Sequence, residues 1–116
     1  MQLNENLSEF NRRFADELLP SFPANVKAFQ SEDGTLLFRG PIPLADDPKH
    51  IGTHVAVSLD KEVKAALAQA SPADREEITQ NLINNLGTQV RCRYDPNKIG
   101  PYALDVVGDM AIVNGK

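Results

Sequence analysis

Two histidines, His50 and His54, stand four residues apart, with the carboxylates Asp46 and Asp47 just before them. On a helix this spacing would bring both imidazoles to one side, where they could hold zinc. Gly52 between them and the prolines before them make the segment a loop running into a strand. No cysteine is near to complete the four ligands of a structural zinc site. Neither a metal nor another cofactor is expected. Cys92 lies between Arg91 and Arg93, whose charges would lower a thiol pKa and activate it as a nucleophile. Alternation along Thr88–Tyr94 instead turns Cys92 inward with Val90 and Tyr94, as a buried structural cysteine. The carboxylate pairs Asp46-Asp47 and Glu76-Glu77 are adjacent residues, which point apart in a helix or strand, so they read as solvated charge. The nucleophile pattern G-x-S-x-G and both glycine-rich phosphate patterns are absent. The expectation is a protein that works without catalysis.

The residues that rise above this background are basic. Arg91 and Arg93 would project from one face of their strand, Lys27 and Arg39 belong to an earlier hairpin, and Lys98 sits in a loop. If the hairpins share a sheet, these side chains form a basic strip on a chain of net charge −4. Such a strip suits an acidic protein segment, a phosphate or single-stranded RNA. It could equally pair across strands with Asp105 and neighbouring acids. RNA readers of the sheet type need stacking aromatics, and the pattern turns most of Phe29, Phe38, Tyr94 and Tyr102 inward. Ile42 and Leu44, in the proline-stiffened stretch GPIPLADDPKHIG, either cap the core edge or present a partner surface. The candidate partner-binding set is therefore Arg91, Arg93, Lys27, Arg39, Ile42 and Leu44. A protein partner is expected; nucleic acid is the alternative, against which the acidic balance weighs.

The elements that must position these residues follow from periodicity. Leu3, Leu7, Phe10, Phe14 and Leu18 fall at helical spacing, and Pro20 ends that helix. Asp33-Gly34 marks a turn between strands at Asn25–Gln30 and Thr35–Arg39. The proline-rich stretch excludes helix and central strand. Val55, Val57 and Leu59 alternate with an outward set of His54, Ala56 and Ser58. Asp60 caps a helix burying Val63, Ala66, Leu67 and Ala70, and Ser71-Pro72 starts another burying Ile78, Leu82, Ile83 and Leu86. Gly87 is placed to end it. Thr79, Gln80, Asn81, Asn84 and Asn85 form its polar side, for a partner's hydrogen bonds or as a neutral solvated face. Thr88–Tyr94 and Tyr102–Val107 would then form a second hairpin, Gly108-Asp109 a break, and Met110–Val113 a short strand or extended tail. The order α-β-β-β-α-α-β-β predicts an α+β fold: an antiparallel sheet of four or five strands with three helices on one face.

The 116 residues suit a single domain spanning 1–116, and 41% hydrophobic against 24% charged residues marks a chain that folds. A single cysteine fits a reducing compartment. The stretch MQLNENLSEFNRRF has no apolar core of a secretory signal, and no apolar run approaches the ~20 residues of a spanning helix. A cytoplasmic protein off the membrane is expected.

Residues 53–86, running THVAVSLDKEVKAAL and onward through a turn into a second helix, resemble a ribbon-helix-helix unit. That resemblance implies a strand that reads bases. The outward His54, Ala56 and Ser58 are poor base readers. Asp74, Glu76 and Glu77 occupy the helix start where phosphate would bind. An ordinary strand feeding an ordinary helix is favoured. The whole chain also resembles the short proteobacterial proteins grouped as domains of unknown function, which carries over no site residue.

Overall fold

The computed structural model describes residues 4–41, 51–95 and 104–115. The first helix, α1 (Glu9–Leu18), begins where the Ser8 hydroxyl accepts from the Asn11 amide, occupying one of the donors a first turn leaves open. Phe14 and Leu18, one turn apart, are fully buried, and Leu7 and Phe10 pack beside them. The helix gives way to a 3-10 turn at Leu19–Ser21, which contains Pro20. Strands β1 (Lys27–Gln30) and β2 (Leu36–Pro41) form the expected antiparallel hairpin. Gly34 takes φ +89° in its turn, a conformation that penalises any side chain. Beside it the Asp33 carboxylate accepts from the Ser31 hydroxyl and the Thr35 amide.

Strand β3 (Ile51–Leu59) pairs antiparallel with β2. Helices α2 (Lys61–Gln69) and α3 (Pro72–Arg93) follow, each opened by the predicted cap: Asp60 accepts from the Val63 amide, Ser71 from the Asp74 amide. Strand β4 (Leu104–Gly108) then pairs with β3 in parallel, and α4 (Met110–Val113) follows it. The sheet runs β1-β2-β3-β4. The fold is mixed α+β, with a four-stranded mixed sheet and four α-helices among the described residues.

Four expectations are corrected. Thr88–Tyr94 is the last part of α3 up to its cap, Tyr94, and is not a strand. Leu82, Leu86 and Val90 continue one buried stripe at four-residue spacing, so Val90 served both periods and the helical one won. Gly87 does not end the helix; it is buried in its middle, where a Cβ would lie 3.8 Å from a Leu18 methyl. The close packing of α1 there outweighs the ~1 kcal/mol a mid-helix glycine costs. With that strand gone there is no second hairpin. The chain enters the sheet again only after two helices, and a crossover of that kind delivers a parallel strand. Finally, Met110–Val113 is helical, because Asp109 is an N-cap, accepting from the Ile112 amide, and not merely a breaker. The proline-rich stretch also gives up its ends to strands, with Gly40 opposite Gly52 and Pro41 opposite Ile51; a proline at a strand end removes no central ladder bond.

The core joins the helices to one face of the sheet. Leu36, Phe38, Val55, Val57 and Val106 meet Phe14, Leu18, Val63, Leu82, Leu86 and Val90. A buried amide fixes α1 to the hairpin: the Asn11 side chain donates to Gln30 Oε1 at 2.7 Å and to the Gly34 carbonyl at 3.0 Å.

Two stability predictions follow from the hairpin. A Cβ on Gly40 would lie 3.0 Å from the Asn25 carbonyl oxygen and the Val26 Cα, both backbone atoms that cannot swing aside. Gly40→Ala should cost ~1–3 kcal/mol in urea denaturation; an unchanged midpoint would mean the two segments can separate freely. The Ser31 hydroxyl and the Thr35 amide hold the Asp33 carboxyl down to about 2 from its ordinary 3.8. A depressed carboxyl stabilises the fold above its unfolded value and loses that contribution as pH falls through its folded value. The gap in stability between the parent and Asp33→Asn should therefore close between pH 3.8 and about 2. A gap that stays constant across that window would show that the carboxylate charge plays no part.

Candidate functional site

The only histidine among the described residues, His54, is 1% exposed although simple alternation turns it outward. The cause lies in the strand register. Phe38 faces Val55 and the next residue, Arg39, faces Thr53, so His54 is an extra residue in β3 with no partner in β2. Such a bulge re-aims a side chain. The His54 ring accordingly reaches Tyr94 at the C-terminal end of α3, with ring centroids 6.0 Å apart. Its Nε2 lies 2.9 Å from the Pro41 carbonyl and its Nδ1 3.0 Å from the Tyr94 hydroxyl. The carbonyl can only accept, so Nε2 carries a proton; in the uncharged ring Nδ1 then accepts from the hydroxyl. Burial pushes the Tyr94 pKa up from 10.0, and the neighbouring Asp95 carboxylate adds to this, so the hydroxyl stays a donor. Phe22 stacks between Tyr94 and Phe38, at 4.6 and 4.7 Å between centroids. Both imidazole nitrogens are committed, and the ring is closed off from solvent. The group therefore ties the end of β2, the bulge in β3 and the end of α3 together, and offers no free base.

The basic candidates fall in two places. Lys27 and Arg39 face each other in register across β1 and β2. They share the outer face of the sheet with Phe29, Leu37, Ala56 and Asp105, which lie in one cross-strand row. None of these belongs to the core, and each is half-exposed or exposed. At the margins of this face Ile51 is 53% and Val107 51% exposed. Arg39 Nε is buried and has no hydrogen-bond partner among the described residues. Arg91 and Arg93, by contrast, sit in the last turn of α3, where they complement the negative end of the helix dipole. Two residues apart on a helix they point to nearly opposite sides, and Arg91 pairs with Glu17 of α1 at 3.8 Å. A continuous strip of all four is therefore not formed. Cys92, expected inward, is exposed, because the helical period separates it from Val90 and Tyr94. Ile42, Leu44, Asp46, Asp47, Lys49, His50, Lys98 and Tyr102 lie outside the described residues.

Three residues of the polar side of α3 bind within the chain, while Thr79 is nearly buried. Asn85 donates to the Ile112 carbonyl at 2.8 Å, holding α4, and Gln80 bonds both Arg13 and Asn84. Among the described residues no group of three His, Cys, Asp or Glu side chains converges to hold a metal, and no helix is long and apolar enough to cross a membrane. No protein-family model, curated protein or solved structure matches this chain.

Removing the Tyr94 hydroxyl would leave a buried imidazole nitrogen without a partner. Tyr94→Phe should cost ~1–3 kcal/mol in chemical denaturation. A change much smaller than this would mean that water takes the place of the hydroxyl.

Proposed function

We propose that the protein acts by binding, without catalysis, and that the outer face of its sheet recognises a protein partner whose contact segment is both acidic and apolar. The observation that carries this reading is the Lys27–Arg39 pair. Two like charges directly opposite each other destabilise a sheet, and here one of them also has a buried Nε with no hydrogen-bond partner among the described residues. An isolated fold gains nothing from that arrangement. A carboxylate laid across the pair would offset the repulsion and supply an acceptor for the guanidinium. Leu37, Phe29 and Ala56 beside the pair add an apolar contact of the kind found at interface centres. Arg91 and Arg93, on another element, do not enter this surface, and Asp105 at its far side favours a segment whose charge is confined to one end.

The reading is tested by amide NMR with a synthetic hexapeptide of three glutamates followed by three leucines, its charge confined to one end. Shifts gathered on Lys27, Phe29, Leu37 and Arg39 are expected, weakened ~10-fold or more by Arg39→Gln, as for loss of a charge-assisted hydrogen bond. Retention of part of the binding at raised salt is expected of a partly apolar interface. No shifts on this face would overturn the proposal. Shifts seen instead with a mixed-sequence single-stranded oligonucleotide, and lost steeply with salt, would replace the protein partner by nucleic acid.

A further inference from the structure

A second concave surface lies away from the sheet face, between α1 and the junction of α2 with α3. Its volume is about 430 Å³, within the range of small-molecule sites. Phe10, Leu67 and Pro72 give it apolar walls, and Phe10 is held in place by stacking on the buried Phe14 at 5.8 Å. Thr79 also lines it. That side chain is 7% exposed, and its hydroxyl has no hydrogen-bond partner among the described residues. A helical threonine can return its hydroxyl to the carbonyl four residues earlier, as Thr88 does to Asn84 at 2.8 Å; Thr79 leaves its hydroxyl open to the cleft.

The charges that line the cleft balance: Arg13 and Arg75 stand against Glu9 and Glu76. Arg13 grips Glu76 with two hydrogen bonds of 2.9 and 2.8 Å and also reaches Gln80 at 3.2 Å. The Glu76 carboxyl is held below its usual pKa and the Arg13 guanidinium above its own, each by the hydrogen bond to the other. Arg75 folds back onto the Leu67 carbonyl at 3.1 Å, and Glu9 stands in the first turn of α1, where the helix dipole complements it. A charged guest therefore meets no net counter-charge in the cleft. An uncharged guest with an apolar body needs only the walls and the Thr79 hydroxyl, since the Ser8 hydroxyl that also lines the cleft already accepts from the Asn11 amide.

We infer that this cleft binds a small, uncharged, largely apolar molecule carrying one hydroxyl or carbonyl group, with Thr79 as its hydrogen-bond partner. The inference is independent of the sheet-face reading, since no residue is common to the two surfaces.

The test is a titration of the whole chain with 2-naphthol and with its charged counterpart 2-naphthoate, followed by amide NMR. Saturable shifts around Phe10, Leu67 and Thr79 are expected with 2-naphthol, and at least ~5-fold weaker binding with Thr79→Val, the loss of one neutral hydrogen bond. The naphthoate should bind more weakly than the naphthol. Leu67→Trp, which fills the cleft from its wall, should abolish the shifts; its thermal melt is recorded alongside, and Thr79→Val carries the test if that variant does not fold. Absence of saturable shifts with 2-naphthol would overturn the inference, as would equal affinity for the parent and Thr79→Val, or tighter binding of the naphthoate.

Discussion

One buried stripe holds this molecule together. Leu82, Leu86 and Val90, with Ile83 beside them, run along α3, and α1, α2, α4 and β4 all pack against that helix. Burying a large aliphatic side chain is worth ~1.5–3 kcal/mol, and α3 concentrates several of them along one line. The requirement to keep that line covered outweighs local preference at both of its weak points. It carries the helix through Gly87, and it keeps Thr88–Tyr94, rich in residues that favour strands, in helical conformation up to Arg93.

Extending α3 in this way determines what surrounds the sheet. The end of the helix delivers Tyr94 to His54, and the bulge in β3 delivers His54 to Tyr94. Neither residue could be buried at low cost alone, because each would leave a polar atom unsatisfied. The same economy appears at Asn11, which meets both Gln30 and Gly34, and at Asn85, which meets Ile112. Polar side chains inside this fold join elements distant in sequence, whereas the ion pairs sit at the surface between helices. Two groups without a hydrogen-bond partner among the described residues are then informative: the buried Arg39 Nε on the sheet and the Thr79 hydroxyl that opens into the helical cleft.

Much of the local structure was legible in the sequence. Ser71-Pro72 and Asp60 announced their helices, and Asp33-Gly34 its hairpin, because caps and turns are satisfied by atoms only a few residues away. The errors came where a distant contact decides the outcome. Val90 fits a period of two and a period of 3.6, and only its alignment with Leu82 and Leu86 chooses between them. The inward turn of His54 depends on a register with β2 that no short window contains. Arg91 and Arg93 lost their place beside Lys27 and Arg39 for the same reason, since a strand became a helix. Asp109 is the exception, since aspartate before Met-Ala-Ile-Val is itself a local cap signal. The unpaired atoms of Arg39 and Thr79 had no signature in the sequence at all, as a missing partner is a property of the packed molecule.

The parallel pairing of β3 with β4 has a kinetic consequence. The β1–β2 hairpin and its antiparallel neighbour β3 are joined by contacts between near segments, whereas β4 meets β3 only after α2 and all of α3 have been traversed. Closing so long a loop costs entropy before any ladder bond repays it, and such pairings form slowly. Until β4 arrives, β3 has one edge bare, with Val55 and Val57 beside it. This is the interval in which the chain is most open to joining another copy of itself edge to edge. Docking of the last strand thus acts as protection as well as completion.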